Sequence, residues 1–405
     1  MTATALDRGA TEYAGRAGRI SRPLAELAGA SPVGFIGPNW FASVMGTGII
    51  AVALAGLPFP VPYAETAAAG VWVLATVLLV VVLGATAAHH RHHPRVARGH
   101  LDDPVMSHFY GAPAMALMTV GAGAMVAGHR LIGTGPALAV DVVLWSAGTL
   151  LGLVTAVLVP YKAFTGHEVR QDSAFGGWLM PVVPPMVSAA TGALLVPHLP
   201  AGQARETLLL ACYMCFGLTL LASLVVITFV WNRLLHHGVG AAGAVPTVWI
   251  VLGPLGQSVT AAHHLGQLAP GVVGDPYGPA LRALTLVYGV PVIGFALLWL
   301  ALAALITLRT ARTQDSGLPF SLTWWSFTFP VGTVVTGLSG LADVTGLLAY
   351  RVAAGTLFAL LVLAWAVVLA RTVAGTWSGR LLRAPAAAPA PTPAPTPVPA
   401  SVLAR

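Results

Sequence analysis

Charge is scarce in this sequence. Only 8% of its 405 residues are Asp, Glu, Lys or Arg, where a soluble domain carries roughly 25%. A chain so poor in charge cannot clothe a core against water, which excludes an ordinary soluble fold. Cysteine is scarcer still, with Cys212 and Cys215 the whole supply. A CxxC suggests redox or metal chemistry in a soluble protein. Here it lies inside the apolar run Leu208–Trp231 with no second pair, and it reads as two small buried residues of one helix. The first thirty residues lack the short apolar core of a cleavable signal peptide, so the first apolar stretch is expected to stay in the mature protein. Nor is there an HExxH motif or a pair of carboxylates within an apolar run to mark a hydrolytic metal centre.

Hydrophobic residues, at 57% of the chain, and a mean hydropathy of +0.81 take the place of charge. A bilayer core about 30 Å thick needs roughly 20 apolar residues per helix. Ten stretches qualify: Pro38–Gly56, Ala67–Ala88, Ser107–Ala127, Ala137–Pro160, Gly177–Pro197, Glu206–Trp231, Val245–Leu268, Arg282–Leu308, Leu322–Gly340 and Leu347–Arg371. Each is predicted helical, because lipid offers backbone groups no partner. The reading is an all-α integral membrane protein with a transmembrane domain over residues 35–375. Residues 1–34 form an arginine-bearing tail without predicted structure. Residues 376–405 hold a Pro/Ala run that cannot pack a core and is expected to be disordered.

Arginine and lysine set the predicted orientation. With the amino terminus inside, 16 of the 20 basic residues fall on one side, and only Arg130, Arg205, Arg282 and Arg351 on the other. Both termini are therefore expected in the cytoplasm, with the chain multi-pass in the cytoplasmic membrane. The high pI, about 9.9, records those loop arginines and not a nucleic-acid partner.

Odd-numbered spans begin about every 70 residues and differ in character from even ones. They carry Gly46-Thr47-Gly48, Pro113, Pro181 to Pro185, Gly253-Pro254 and Pro330, whereas the even spans are dense in Leu and Val. Proline kinks a membrane helix, and the carbonyl it frees needs protein or water beside it. Small residues let backbones approach closely. The predicted architecture is five helical hairpins around a central pore, odd spans inside and even spans facing lipid.

Five motifs, one in each odd span, carry a family resemblance. Pro38-Asn39-Trp40-Phe41-Ala42-Ser43-Val44-Met45-Gly46-Thr47-Gly48 resembles the opening signature of the tellurite-resistance/dicarboxylate transporter family. That family takes in slow anion channels, malate permeases and sulfite efflux pumps. The others are Asp103-Pro104 with His108-Phe109-Tyr110-Gly111, Leu179 to Pro185, Gly253-Pro254-Leu255-Gly256-Gln257, and Trp324-Trp325-Ser326-Phe327-Thr328-Phe329-Pro330. The resemblance implies ten helices around a pore, a homotrimer of independent subunits, a small-anion substrate, and a phenylalanine of the ninth span plugging the pore. On the tryptophan-pair motif that residue is Phe329. C4-dicarboxylates, sulfite, tellurite-type oxyanions and inorganic anions all remain open as substrates.

An anion entering such a pore needs its hydration replaced by dipoles that do not hold it too tightly. Candidate pore-lining residues on the odd spans are Gly46, Thr47, Gly48, Pro113, Pro184, Ser188, Pro254, Ser258, Thr328 and Pro330. Further hydroxyls at Ser43, Thr191, Thr260 and Thr333 are open to the same use. No Lys or Arg falls in the inner half of any odd span, which favours a monovalent ion over a bidentate dicarboxylate. His263, His264 and Asp343 are candidates for a proton relay, and these, like Asp141, are expected at wetted helix ends. The cluster His89-His90-Arg91-His92-His93 with His100 is weighed as a metal site in an alternative, enzymatic reading. It straddles a helix end and a Pro/Gly loop among arginines, so a solvated loop is preferred, and no cofactor or metal is expected.

Overall fold

The computed structural model describes residues 31–167, 169–314 and 317–383. Most of the predicted tails, including the Pro/Ala run, therefore lie outside the described residues. Regular structure among those described is helical throughout. Eleven helices carry the argument: α1 Phe41–Ala55, α2 Ala64–His92, α3 Pro94–Asp102, α4 Gly111–Gly123, α5 Thr134–Gly166, α6 Pro184–Gly192, α7 Gln203–His237, α8 Leu252–Leu268, α9 Tyr277–Thr313, α10 Phe329–Thr345 and α11 Leu348–Trp377.

The two predicted classes of span separate in space. Four odd spans are 72–78% buried along their most apolar windows, and the five even ones only 22–33%. Each inner helix packs on the outer helix that follows it: α1 on α2, α4 on α5, α6 on α7, α8 on α9, α10 on α11. The inner helices also meet each other in order, α1 to α4 to α6 to α8 to α10, and α10 returns to α1. That closed ring of five, sheathed by five Leu/Val-rich helices, is the predicted arrangement. Lipid drives the sorting only weakly, since its tails are as apolar as leucine. Close backbone approach and interhelical hydrogen bonds draw the small and hydroxylic residues inward.

Nine helices among the described residues are long and apolar enough to cross a bilayer, where the sequence predicts ten. The difference is the fifth span. It runs as a 3-10 turn at Gly176–Leu179, an irregular stretch at 180–183, the nine-residue α6, and a second 3-10 turn at Val196–His198. Pro181, Pro184 and Pro185 supply no N–H groups, so a continuous ladder cannot form. The carbonyl of Val182 is met instead by the Thr219 hydroxyl of α7, at 2.7 Å. Irregular backbone at this depth is tolerated because it is enclosed by protein.

All five inner spans start with a 3-10 segment at the arginine-rich end: Pro38–Trp40, Met106–Tyr110, Gly176–Leu179, Ala242–Val251 and Leu322–Phe327. These segments form a second closed ring, a collar beneath the helices. Two glycines permit its closeness. A Cβ on Gly111 would overlap the carbonyl oxygen of Met180, and one on Gly176 the carbonyl oxygen of Thr247.

The third span is bent differently. After α4 a five-residue π-turn, Ala124–Gly128, shifts the ladder, and the indole N–H of Trp72 donates to the carbonyl of Val120 at 3.0 Å. Asp141 on α5 is not at a wetted helix end as expected. It is fully buried against Gly121, and neither carboxyl oxygen has a hydrogen-bond partner.

Across the arginine-rich end lies α3, amphipathic, with Val96, Ala97 and His100 buried and Arg95 and Arg98 exposed. His100 stacks on His89, ring centres 5.2 Å apart, and His89 Nδ1 meets the carbonyl of Val33 at 2.8 Å. Burial, with the neighbouring His89 adding to it, lowers the His100 pKa from 6.5 to about 4. A histidine that is neutral when folded and binds a proton at 6.5 when released stabilises the folded form above pH 6.5. That stability is lost as pH falls from 6.5 towards 4, with a loss of roughly 2 kcal/mol at pH 5. Amide-exchange protection of residues 94–102, corrected for intrinsic rates, is expected to fall between pH 7 and pH 5. Replacing His100 with Gln should weaken that dependence, leaving the part contributed by His89, whose pKa burial also lowers.

Candidate functional site

The axis of the five-helix ring holds two hollows with one wall in common. The larger, about 180 Å³, opens towards the end opposite the collar. Its polar lining comes from Thr119 of α4, Thr191 of α6, Gln257, Thr260, His263 and His264 of α8, and Thr336, Ser339 and Asp343 of α10. The smaller, about 20 Å³, lies towards the collar and is walled by Ala42, Met45, Phe109, Met115, Met180, Val183, Ile250, Leu322 and Trp325, with Ser326 its one hydroxyl. Phe329 lines both. Neither has a Lys or Arg among its described walls.

The position of Phe329 follows from local chain chemistry. The 3-10 segment Leu322–Phe327 ends at Thr328, whose φ and ψ of −107° and −78° break the helix. The Thr328 hydroxyl turns back to the carbonyl of Trp325, at 2.7 Å. Phe329 then opens α10 with Pro330 behind it, where a missing N–H costs nothing because first-turn donors have no intrahelical partner. Gly332 one turn on lets Ile49 of α1 pack directly on the α10 backbone. Phe329 is 2% exposed and is the one residue common to the described linings of the two hollows.

The other predicted residues are distributed unevenly. Pro330 lines the narrow chamber, and His263, His264 and Asp343 line the wide one. His263 Nε2 lies 3.8 Å from Asp343 Oδ2, while His264 Nδ1 is taken up by the carbonyl of Ala190 at 3.1 Å. Thr47, Ser188 and Ser258 face their outer partners instead. Trp365 of α11 donates to Thr47 at 3.1 Å, Thr149 of α5 to Ser188 at 2.9 Å, and Tyr288 of α9 to Ser258 at 2.8 Å. Gly46 seats against Trp325 and Thr328, Gly48 against Thr119 and Ala75, and Pro184 against Gly152. Pro113 sits in the first turn of α4 and Pro254 in that of α8, and neither lines a chamber.

Sequence reasoning missed Gln257, Thr336 and Ser339. Gln257 closes the motif Gly253–Gln257 and is polar in an otherwise apolar stretch, a signal that was available. Thr336 bonds Thr260 of the neighbouring helix α8 at 2.7 Å. The histidine cluster weighed as a metal site contains a ring stack, and no three His, Cys, Asp or Glu side chains converge as a ligand set among the described residues. A third hollow, about 1,020 Å³, lies outside the ring between α5 and α7.

The profile of the voltage-dependent anion channel family matches residues 36–373. The chain belongs to that family. The match covers all ten spans and both rings, so the two chambers are set in the family's own scaffold. Among similar proteins is an uncharacterized transporter of Methanocaldococcus jannaschii, 28% identical over 348 residues, which are 85% of this chain and 95% of the relative. A sulfite efflux pump of Arthroderma otae is 26% identical over 83% of this chain and 89% of its own length. Another sulfite efflux pump, from Trichophyton rubrum, is 26% identical over 85% and 92%. The chain is thus a multi-pass membrane protein of an anion-transporting family.

Proposed function

We propose that this chain conducts small monovalent anions along the axis of its five-helix ring, with Phe329 as the gate. The observation that carries the reading is the shared wall. A single aromatic side chain, at a proline-marked helix start, stands between a polar chamber and an apolar one. Apolar constrictions stop ions by excluding the water an ion needs, so the closed state is built into the ring contact. Walls without fixed cations suit an ion that passes quickly rather than one that is clamped.

The sulfite efflux pumps among its relatives make sulfite species the first substrates to test, ahead of malate or tellurite-type oxyanions. The arginine distribution supports both termini inside a cytoplasmic membrane, and on that reading the collar faces the cytoplasm and the polar chamber the outside. A homotrimer is part of the same proposal. His263 and Asp343 are the groups through which a proton would enter the polar chamber if transport is proton-coupled.

Liposomes loaded with the purified protein test this directly. Chloride, nitrate and hydrogensulfite flux is expected to follow the imposed voltage and to exceed malate flux by about tenfold or more, since a divalent ion loses more hydration without a cation to replace it. Flux that collapses with the proton gradient would make the protein a carrier. No flux above protein-free vesicles for any anion sinks the proposal.

A further inference from the structure

The outer layer is open where the fifth span is broken. α5 and α7 both pack on α6, but α6 starts only at Pro184, and at residues 180–183 no inner helix stands behind them. The hollow of about 1,020 Å³ between the two outer helices lies at this depth, with Pro181 and Val182 in its wall. Small side chains on the facing helices, Ala156 and Ala163 of α5 and Ala222 of α7, keep it open.

Its two ends differ in chemistry. Within the bilayer the walls are apolar, and Phe164 and Phe229 on its edges are 84% and 52% exposed, so it opens sideways to lipid. Its lining on α5 runs from Ala156 to Phe164, about 12 Å at 1.5 Å per residue and close to the depth of one leaflet. Walls of this kind favour an apolar filling over water. At the arginine-rich end the chain leaving α5 adds His167, Arg170, Gln171 and Ser173 to the lining, and no Asp or Glu is among the described walls. Arg170 donates to Asp172 at 3.1 Å, with its side chain 80% exposed. An exposed pair of this kind holds weakly, so the guanidinium can turn to a phosphate and meet it through two N–H groups.

A second copy of the chain does not supply that match. The acids on its outer helices are Glu65, Asp141 and Glu206, all towards the end away from the collar. A phospholipid brings acyl chains for the apolar length and a phosphate for the basic end, and basic pockets between helices are suited to acidic headgroups. We infer that the hollow between α5 and α7 is a binding site for an anionic phospholipid, with its chains between the helices and its phosphate on Arg170. The wall also holds His108 and Trp178 of the collar, stacked with ring centres 6.1 Å apart, and Trp178 meets Phe229 of α7 at 6.5 Å. The bound lipid lies against two neighbouring collar segments and braces them, whatever ion the axis carries.

Melting temperature in neutral detergent provides the test, because a ligand of the folded form raises it. The protein is titrated with phosphatidylglycerol or with phosphatidylcholine of the same acyl chains, whose choline cation neutralises the phosphate. Half the maximal rise is expected at about tenfold less phosphatidylglycerol than phosphatidylcholine. Arg170→Gln should bring the two lipids within about twofold of each other, and Ala222→Phe, which fills the hollow, should abolish the rise with both. Equal potency of the two lipids on wild type, or no rise with either, overturns the inference. An Arg170→Gln protein with the wild-type preference overturns it as well. So does an Ala222→Phe protein that loses its oligomeric state yet keeps its response to phosphatidylglycerol, since a second copy then fills the hollow. Should Ala222→Phe fail to fold, the comparison of Arg170→Gln with wild type decides alone.

Discussion

Phe329→Ala is expected to raise anion conductance by about tenfold or more, because each 1.4 kcal/mol removed from a barrier is worth a factor of ten. The substitution removes the side chain common to the linings of the 180 Å³ and 20 Å³ hollows and is expected to join them. The apolar chamber then no longer strips hydration abruptly, and the barrier to dewetting falls. Phe329→Leu, which keeps bulk but loses the ring, should give an intermediate current. Planar-bilayer recordings measure both. A loss of thermal stability accompanies the alanine variant, smaller than the 3–5 kcal/mol typical of a filled core because the ring already borders empty space. Wild-type currents from a monodisperse Phe329→Ala protein would remove the gate from the account and leave the chambers as packing defects.

The second large effect is predicted for the collar. Gly176→Ala and Gly111→Ala each add a methyl group where a neighbouring segment's backbone carbonyl already sits, Thr247 in one case and Met180 in the other. Backbone cannot rotate away as a side-chain tip can, and ring neighbours on both sides are fixed. The cost should exceed the 1–3 kcal/mol usual for overpacking and leave little folded protein on detergent size exclusion. Gly294→Ala is the control. It lies on lipid-facing α9 with nothing within 4 Å of the added Cβ, and its melting temperature should match or exceed wild type, alanine being the better helix former. If Gly176→Ala melts like Gly294→Ala, the collar is looser than its contacts imply.

Much of this fold is legible in the order of residues. Span number and the split into inner and outer helices follow from composition, since Gly, Pro and hydroxyls recur at a fixed interval and Leu and Val fill the gaps. The motif singles out Phe329 in the sequence, and the structure adds only that it lines both axial hollows. The hydroxyls are harder. Thr47, Ser188 and Ser258 stand on the inner helices, yet they tie to Trp365, Thr149 and Tyr288 of the outer ones. An inner helix is buried on every face, so no contrast between an apolar and a polar side tells which face looks at the axis. Asp141 defies its sequence position for a related reason. Its place near a span's end suggests water, but Gly121 of α4 packs directly against it.

By itself, then, the amino-acid order determined membrane insertion, helix count to within the broken fifth span, and which helices lie inside. The first two depend on transfer of segments between water and lipid, which is additive along the chain, and the third on the Gly, Pro and hydroxyl content that lets a helix pack closely against others. Only the tertiary structure decided that five 3-10 segments close a collar, that Phe329 lines both a polar hollow and an apolar one, and that Gln257, His263 and Ser339 line the first of these. Such features depend on the rotation of each helix about its own axis, which is settled by packing between residues far apart in sequence.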